Sequence, residues 1–253
     1  YLQCFFVGLT SYLVYVGMSN GFSWQTLAER LLAFTHNGWW FVVSYVGLML
    51  FSPLLNKAVE NMTGKQLLHC ILLFSVVILY FGWYQKVEPT NTGSSLISFI
   101  WIYLIGRYVG KHMTIDYIRS YRWIWLSGYL LSCLSLFGLI MLRYHFSIEM
   151  HYPLDYNNPL VVIAAIMLLL FFLSLTIQNK AVNWMASSVF AAYLLQESCY
   201  LGHGWLYPQM RDVFVHIPDG WRILMLLGVS VAFLLLSILI DKVLSILSCG
   251  ILR

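Results

Sequence analysis

Long apolar segments recur along the chain and constrain its fold more than any other feature. A helix needs roughly 20 mostly apolar residues to cross a bilayer core of about 30 Å. Eight such runs are separated by short connections that hold most of the charges. Because the runs lack the alternating pattern of barrel strands, we predict helices. The predicted spans are 2–18, 39–56, 66–84, 95–110, 123–142, 159–178, 182–201 and 223–240.

Composition agrees with lipid as the solvent. Hydrophobic residues make up 60% of the 253 residues and charged residues only 9%, against about a quarter in soluble proteins. The net charge of +4 is spread along the chain, without a basic block that would indicate nucleic-acid binding. The five cysteines stand singly, so no metal site is expected. We predict an all-α, polytopic transmembrane helix bundle forming a single domain over residues 1–253.

Lys and Arg residues are distributed unequally between alternate connections, which predicts the orientation. The connections after the second, fourth and sixth spans, together with the C-terminus, hold nine of these residues, and the other connections hold five. The first set is expected in the cytoplasm, with the C-terminus on that side. It comprises Lys57, Lys65, Arg107, Lys111, Arg119, Arg122, Lys180, Lys242 and Arg253.

Glu197 is the only acidic residue well inside a predicted span. A carboxylate there is expensive unless it faces a cavity or a partner, so it is a candidate functional group. Tyr193, Glu197 and Tyr200 follow at helical spacing and are expected on one face of the seventh span. The alternative is that Glu197 reaches only the headgroups or a neighbouring Arg.

The second span carries unusual polar groups for a membrane helix. Trp39 lies at its outer end, where indole rings favour the interface, and Tyr45 offers a hydroxyl further along. Pro53 removes a backbone donor and frees a carbonyl that another group must satisfy. Such groups either hold helices together or line a substrate cavity. We name Trp39, Tyr45, Tyr193 and Glu197 as candidate substrate-binding residues.

Arg107 and Lys111 end the fourth span on the expected cytoplasmic side. Their positions fit the general excess of positive charge there. They also fit a rim that binds phosphate, because Arg side chains bind phosphate oxygens in pairs. Outside, the loop at 143–159 is rich in Tyr, Asn and Asp and suits contacts to sugar hydroxyls.

Four motifs in order give the chain a family resemblance. "WWFVVSYVGLMLFSPLLN" (39–56), "SSLISFIWIYLIGRYVGKH" (94–112), "YNNPLVVIAAIMLLLFF" (156–172) and "SSVFAAYLLQES" (187–198) resemble the acyltransferase-3 family. The nearest in appearance are bacterial polysaccharide O-acetyltransferases. The resemblance implies a ten-helix inner-membrane protein with both termini in the cytoplasm. It also implies transfer of an acetyl group from acetyl-CoA to a sugar hydroxyl at the outer face.

The chain departs from the family pattern in two places. The family's catalytic His, preceded by a basic residue, lies on its first helix, and nothing here matches that region. We therefore expect about two helices and this His upstream of Tyr1, and we expect residues 1–253 alone to be inactive. In addition, Gln196 stands where relatives often have His, so no role of that His carries over.

These features together predict a membrane O-acyltransferase. Acyl-CoA would be the donor, with Arg107 and Lys111 binding its phosphates. The expected partners are membrane lipid and a cell-surface glycan or its lipid-linked precursor, without nucleic acid, and a homo-oligomer is left open. The alternatives are a transporter-like module for a small molecule, which would need paired broken helices, and a structural membrane domain.

Overall fold

The computed structural model describes residues 2–31, 39–90, 92–147 and 152–251. Within these ranges the chain forms helices and no strand, which confirms the all-α prediction. The α-helices are α1 Leu2–Tyr15, α2 Trp24–Leu31, α3 Trp40–Glu60, α4 Gly64–Ser75, α5 Leu96–His112, α6 Ile115–Ser120, α7 Arg122–Phe146, α8 Pro159–Ser174, α9 Lys180–Ala186, α10 Val189–Gln196, α11 Tyr207–His216 and α12 Asp219–Ile251. π-helical segments follow α1 (Val16–Asn20), α4 (Val76–Tyr84) and α10 (Cys199–Leu206).

Side-chain caps fix where several helices begin. At α4, Thr63 and Gln66 form a reciprocal capping box, in which Gln66 N donates to Thr63 Oγ1 at 3.3 Å and Thr63 N to Gln66 Oε1 at 2.9 Å. At α8, Asn158 Oδ1 accepts from Leu160 N at 2.9 Å, and Pro159 occupies the first helical position. These polar residues set the helix boundaries inside an otherwise apolar sequence.

Four helical segments of the described chain are long and apolar enough to cross a membrane: Trp40–Glu60, Gly64–Tyr84, Arg122–Phe146 and Gly220–Ile246. They correspond to four of the eight predicted spans, although the span predicted at 39–56 begins one residue before its helix. The first and sixth predicted spans form shorter apolar helices, Cys4–Met18 and Pro159–Ser174. The fourth forms α5, which has 17 residues. A count of about eight membrane spans is therefore not confirmed.

Pro53 lies inside α3 without ending it, because a neighbour supplies the missing donor. Proline has no N–H for the carbonyl four residues earlier, which here belongs to Met49. Ser52 Oγ donates to Met49 O at 2.8 Å. Ser52 thus supplies Met49 O with the donor that Pro53 lacks, and the Ser52 hydroxyl is used within the helix.

The chain forms two compact units, residues 1–43 with 178–253 and residues 44–177. In the second unit, α3, α4, α5 and α8 enclose a core that includes Leu67, Ile78 and Trp101. The Trp101 indole N–H donates to Ser75 Oγ at 3.0 Å. α7 and α8 approach closely at Gly128, where an added Cβ would lie 3.1 Å from Met167 Sδ. The single-domain assignment stays a prediction.

In the first unit, small and polar side chains are buried on α1, α10 and α12. Such residues let membrane helices approach one another closely. Ser11 lies on α1, Ala191 on α10, and Ser237 and Asp241 on α12, all with 3% or less of their surface exposed. α12 continues well past the predicted limit of 240. The burial of Asp241 corrects the expectation that Glu197 is the only acidic residue inside a span.

Candidate functional site

Arg107 and Lys111 lie one turn apart on α5 and line a groove of about 480 Å³ in the second unit. Gly106 and Gly110 complete the α5 side, and Glu60 contributes from the end of α3. Neither glycine has a neighbour within 4 Å of an ideal Cβ position, so the groove is open beside the two cations. The sequence prediction that these cations share one surface is compatible with this geometry.

The Arg107 side chain retains hydrogen-bonding capacity. Its Nε is buried and has no hydrogen-bond partner among the described residues. A buried polar N–H without a partner is unfavourable, so a rearrangement of the Arg107 side chain that brings its donors to an acceptor in the groove is favoured. Phosphate oxygens match the planar donor set of a guanidinium group.

Lys111, unlike Arg107 Nε, has hydrogen-bond partners within the described part of the protein. Its Nζ lies 3.0 Å from Val59 O, 3.2 Å from Glu60 O and 3.2 Å from Met62 O. These carbonyls lie in the last turn of α3 and just after it, where intrahelical donors are lacking, and an ammonium group has three protons to offer. Lys111 therefore caps α3, and what it contributes to the groove is positive charge rather than a free donor. The carboxylate of Glu60 opposes that charge.

Trp39, Tyr193 and Glu197 surround the C-terminal end of α10 in the first unit. The buried Trp39 indole donates from Nε1 to Leu194 O at 3.2 Å, which satisfies a carbonyl of the last helical turn. The Tyr193 ring lies 5.2 Å from the Phe41 ring, measured between centroids. Trp39 thus fixes this helix end instead of lying at a lipid interface.

Tyr45 belongs to the second unit and has 47% of its surface exposed. A joint role for Trp39, Tyr45, Tyr193 and Glu197 in one substrate cavity stays a prediction.

Glu197 is paired with His203, which sequence reasoning had not singled out. The distance from His203 Nε2 to Glu197 Oε2 is 3.6 Å, and 27% of the Glu197 side chain is exposed. This pairing needs a break in the predicted seventh span. α10 ends at Gln196, so the unbroken helix that the predicted spacing of Tyr193, Glu197 and Tyr200 requires is not formed.

Ser198 and Gly202 stabilise the turn of the chain at the end of α10. Ser198 Oγ donates to Leu195 O at 2.8 Å and accepts from Gly202 N at 2.9 Å, so it links the end of α10 to the next segment. An ideal Cβ on Gly202 would lie 2.7 Å from Gln196 C and would overlap Gln196 O. Only glycine allows the chain to turn back this tightly against α10.

The described part of the loop at 143–159, which was predicted to lie outside, has a structural role. Asn157 Nδ2 donates to Thr90 O at 2.6 Å and Asn158 Nδ2 to Pro153 O at 2.8 Å, and both side chains are buried. Lys86 Nζ lies 2.6 Å from Asp155 Oδ2. The polar groups at 155–158 thus tie connections together, whereas residues 148–151 of the loop lie outside the described residues.

Metal ligation finds no support in the described ranges. No group of three His, Cys, Asp or Glu side chains there lies close enough to hold a metal ion. The expectation of a metal-free protein stays a prediction.

The described residues form helices and no strand, and four helical segments are long and apolar enough to cross a bilayer, which defines an all-helical integral membrane protein. A family model described as an acyltransferase domain, that of the acyltransferase-3 family, matches residues 1–242. The chain belongs to this family, which confirms the resemblance seen in its motifs. Comparison with curated proteins and with solved structures finds no match.

Proposed function

We propose that the chain is a membrane-bound O-acyltransferase that moves an acetyl group from acetyl-CoA to a hydroxyl of a cell-surface polysaccharide or its lipid-linked precursor. The acyltransferase family supports the reaction class. The single structural observation that carries the donor assignment is the Arg107 side chain, which lines an open groove and whose buried Nε has no hydrogen-bond partner among the described residues. It suits the phosphates of an acyl-CoA.

The chemistry requires a base on the acceptor side. The acceptor oxygen attacks the thioester carbonyl carbon and the carbon–sulfur bond breaks. The hydroxyl proton passes through the base to the departing CoA thiolate. A free alcohol is a poor nucleophile near neutral pH, so this base is needed for transfer.

The donor assignment is tested by acyl-CoA binding to the purified chain in lipid nanodiscs. Arg107→Gln should weaken binding about tenfold or more, because a charge-assisted hydrogen bond contributes about 1.5–3 kcal/mol. Arg119→Gln is the matched control, since it removes the same charge from an exposed position on the same expected side. Equal affinities of the two variants, with normal folding, would contradict the donor site.

The acceptor and the reaction are tested in cells expressing the complete reading frame. Labelled acetyl groups should appear in the glycan fraction as base-labile esters and should disappear in Arg107→Gln. Label that reaches no glycan or glycolipid would overturn the proposed acceptor.

The proposed membrane is the bacterial inner membrane, with the C-terminus in the cytoplasm. Single cysteines introduced at exposed positions should report this orientation. Cysteines in place of Asn61 and Tyr117 should react only with reagents that enter the cytoplasm. Cysteines in place of Val87 and Tyr152 should react with reagents added outside. The reverse pattern would place the donor groove on the wrong side.

A transporter-like function has less support. Transporters of the relevant kind use broken helices in corresponding positions of two halves. In the described residues the predicted seventh span is interrupted between α9 and α10 and again after Gln196, so these two interruptions lie in one span, whereas α3 continues through Pro53 with the Met49 carbonyl satisfied. Uptake of solute into proteoliposomes without acyl-CoA would favour this second function.

A further inference from the structure

Two grooves of different character share one side chain on α11. The first has a volume of about 510 Å³ and is lined by ionisable groups, among them His203, Arg211, Asp212 and His216. The second has a volume of about 320 Å³ and is lined by Arg211 and apolar residues of α11 and α12, namely Met210, Phe214, Met225, Leu226 and Val229. Arg211 therefore lies where a polar surface meets an apolar one.

The Arg211 guanidinium is uncommitted. It makes no ion pair or hydrogen bond within the part of the chain that the structure describes. The neighbouring Arg222 is used differently, since its Nε donates to Ile217 O at 3.2 Å and its Cζ lies 5.4 Å from the Phe214 ring centroid. Arg222 thus holds α11 against the start of α12, and Arg211 remains able to bind an anion.

The rest of the polar groove suits hydroxyl groups better than a second anion. His216 Nδ1 lies 2.6 Å from Asp212 O. A carbonyl only accepts, so Nδ1 carries the proton and Nε2 is left as an acceptor in the neutral ring. The Asp212 carboxylate is a further acceptor, and Glu197 lies 3.6 Å from His203. The carboxylates repel anions, which leaves Arg211 as the place for a phosphate.

The apolar groove lies at the beginning of a membrane-crossing helix. Gly220–Ile246 is long and apolar enough to span a bilayer, and Ile223, Leu224 and Leu227 in the same turns of α12 are exposed. An exposed apolar surface that continues into a membrane span marks a site of contact with the membrane. Its occupant is therefore an acyl or isoprenoid chain rather than a soluble partner.

We propose that α11 and the start of α12 bind a lipid phosphodiester with a hydroxylated headgroup. The lipid phosphate contacts Arg211, and the hydrocarbon chain of the lipid lies between Met210 and Val229. The headgroup hydroxyls face Asp212 and His216. Such a lipid would present its headgroup hydroxyls at this surface. The use of that lipid as the acyl acceptor is the one point that rests on the proposed function.

Binding is measured on the full chain by native mass spectrometry with three probes of equal chain length. Phosphatidylglycerol offers the phosphate and hydroxyls, phosphatidic acid the phosphate alone, and phosphatidylcholine a phosphate masked by a cation. We expect affinity to fall in that order. Equal binding of phosphatidylcholine and phosphatidylglycerol would overturn the site.

Variants identify the groups responsible. Arg211→Gln should reduce phosphatidylglycerol binding about tenfold, and Arg211→Lys should retain part of it. Asp212→Asn should bring phosphatidylglycerol down to the level of phosphatidic acid. Arg143→Gln, the matched control, removes a charge from another exposed position, which lies in the other unit, and should leave binding unchanged. Equal losses in Arg211→Gln and Arg143→Gln would refute a specific site.

A soluble competitor separates lipid from free phosphate. Excess glycerol phosphate should not displace phosphatidylglycerol, because it has no chain for the apolar groove. Full displacement would overturn the lipid assignment. None of these measurements needs turnover, so failure of acyl transfer and failure of lipid binding are distinguishable.

Discussion

Replacing Gly202 by Ala should destabilise the first unit by steric overlap. The added Cβ would lie 2.7 Å from Gln196 C and 3.0 Å from Leu195 O, and it would overlap Gln196 O. These are backbone atoms at the end of α10, so the segment that follows Ser198 must move away. The clash alone should cost about 1–3 kcal/mol, as for overpacking in a core.

Movement of this segment also weakens hydrogen bonds. Gly202 N donates to Ser198 Oγ at 2.9 Å, and losing a bond of this kind costs about 1 kcal/mol. The total of about 2–4 kcal/mol should lower the unfolding temperature on the order of 10 °C for a chain of this size. The 3.6 Å pair of Glu197 and His203 should separate at the same time.

The assay is thermal unfolding in nanodiscs, followed by tryptophan fluorescence. Gly228→Ala is the matched control, because no atom lies within 4 Å of its ideal Cβ position. Alanine there should be neutral or slightly stabilising, since it favours the helix by about 0.5–1 kcal/mol. A Gly202→Ala protein as stable as the parent would refute the close approach and with it the described break.

Three further changes test other contacts. Lys111→Gln should lower the stability of the second unit by about 1 kcal/mol, a value reduced for solvent exposure, and Lys111→Arg should restore part of it in urea unfolding. Ser52→Ala should cost about 1 kcal/mol by leaving Met49 O without a donor, and a change below the error of thermal unfolding would contradict this. Asn157→Ala should cost about 1 kcal/mol, because Thr90 O loses one of its two donors and keeps only Gly93 N, and faster proteolysis of the connection at 85–95 should accompany it.

The sequence was sufficient for the helical class and for the residues that share a face of one unbroken helix. Arg107 and Lys111 lie together because four residues make one turn of α5. Apolar content also located the long helices, because a helix exposed to lipid needs apolar side chains along the whole length of its span.

Contacts that depend on irregular backbone could not be predicted in this way. The pair of Glu197 and His203 is six residues apart, a spacing that places the two on different faces of a regular helix. The turn between them rests on the absence of a side chain at Gly202, and a single glycine in an apolar run has several readings. Lys111 was missed as a cap because its carbonyl partners lie about 50 residues earlier.

The pairing of Ser52 with Pro53 has a consequence for how this segment can change over generations. A proline that arises next to an existing serine is tolerated at once, because the carbonyl of Met49 already has a substitute donor. A proline that arises first leaves that carbonyl unsatisfied in an apolar setting. The two substitutions are thus accessible in one order and disfavoured in the other. Reversion of the proline, by contrast, would release the serine for replacement by any small residue.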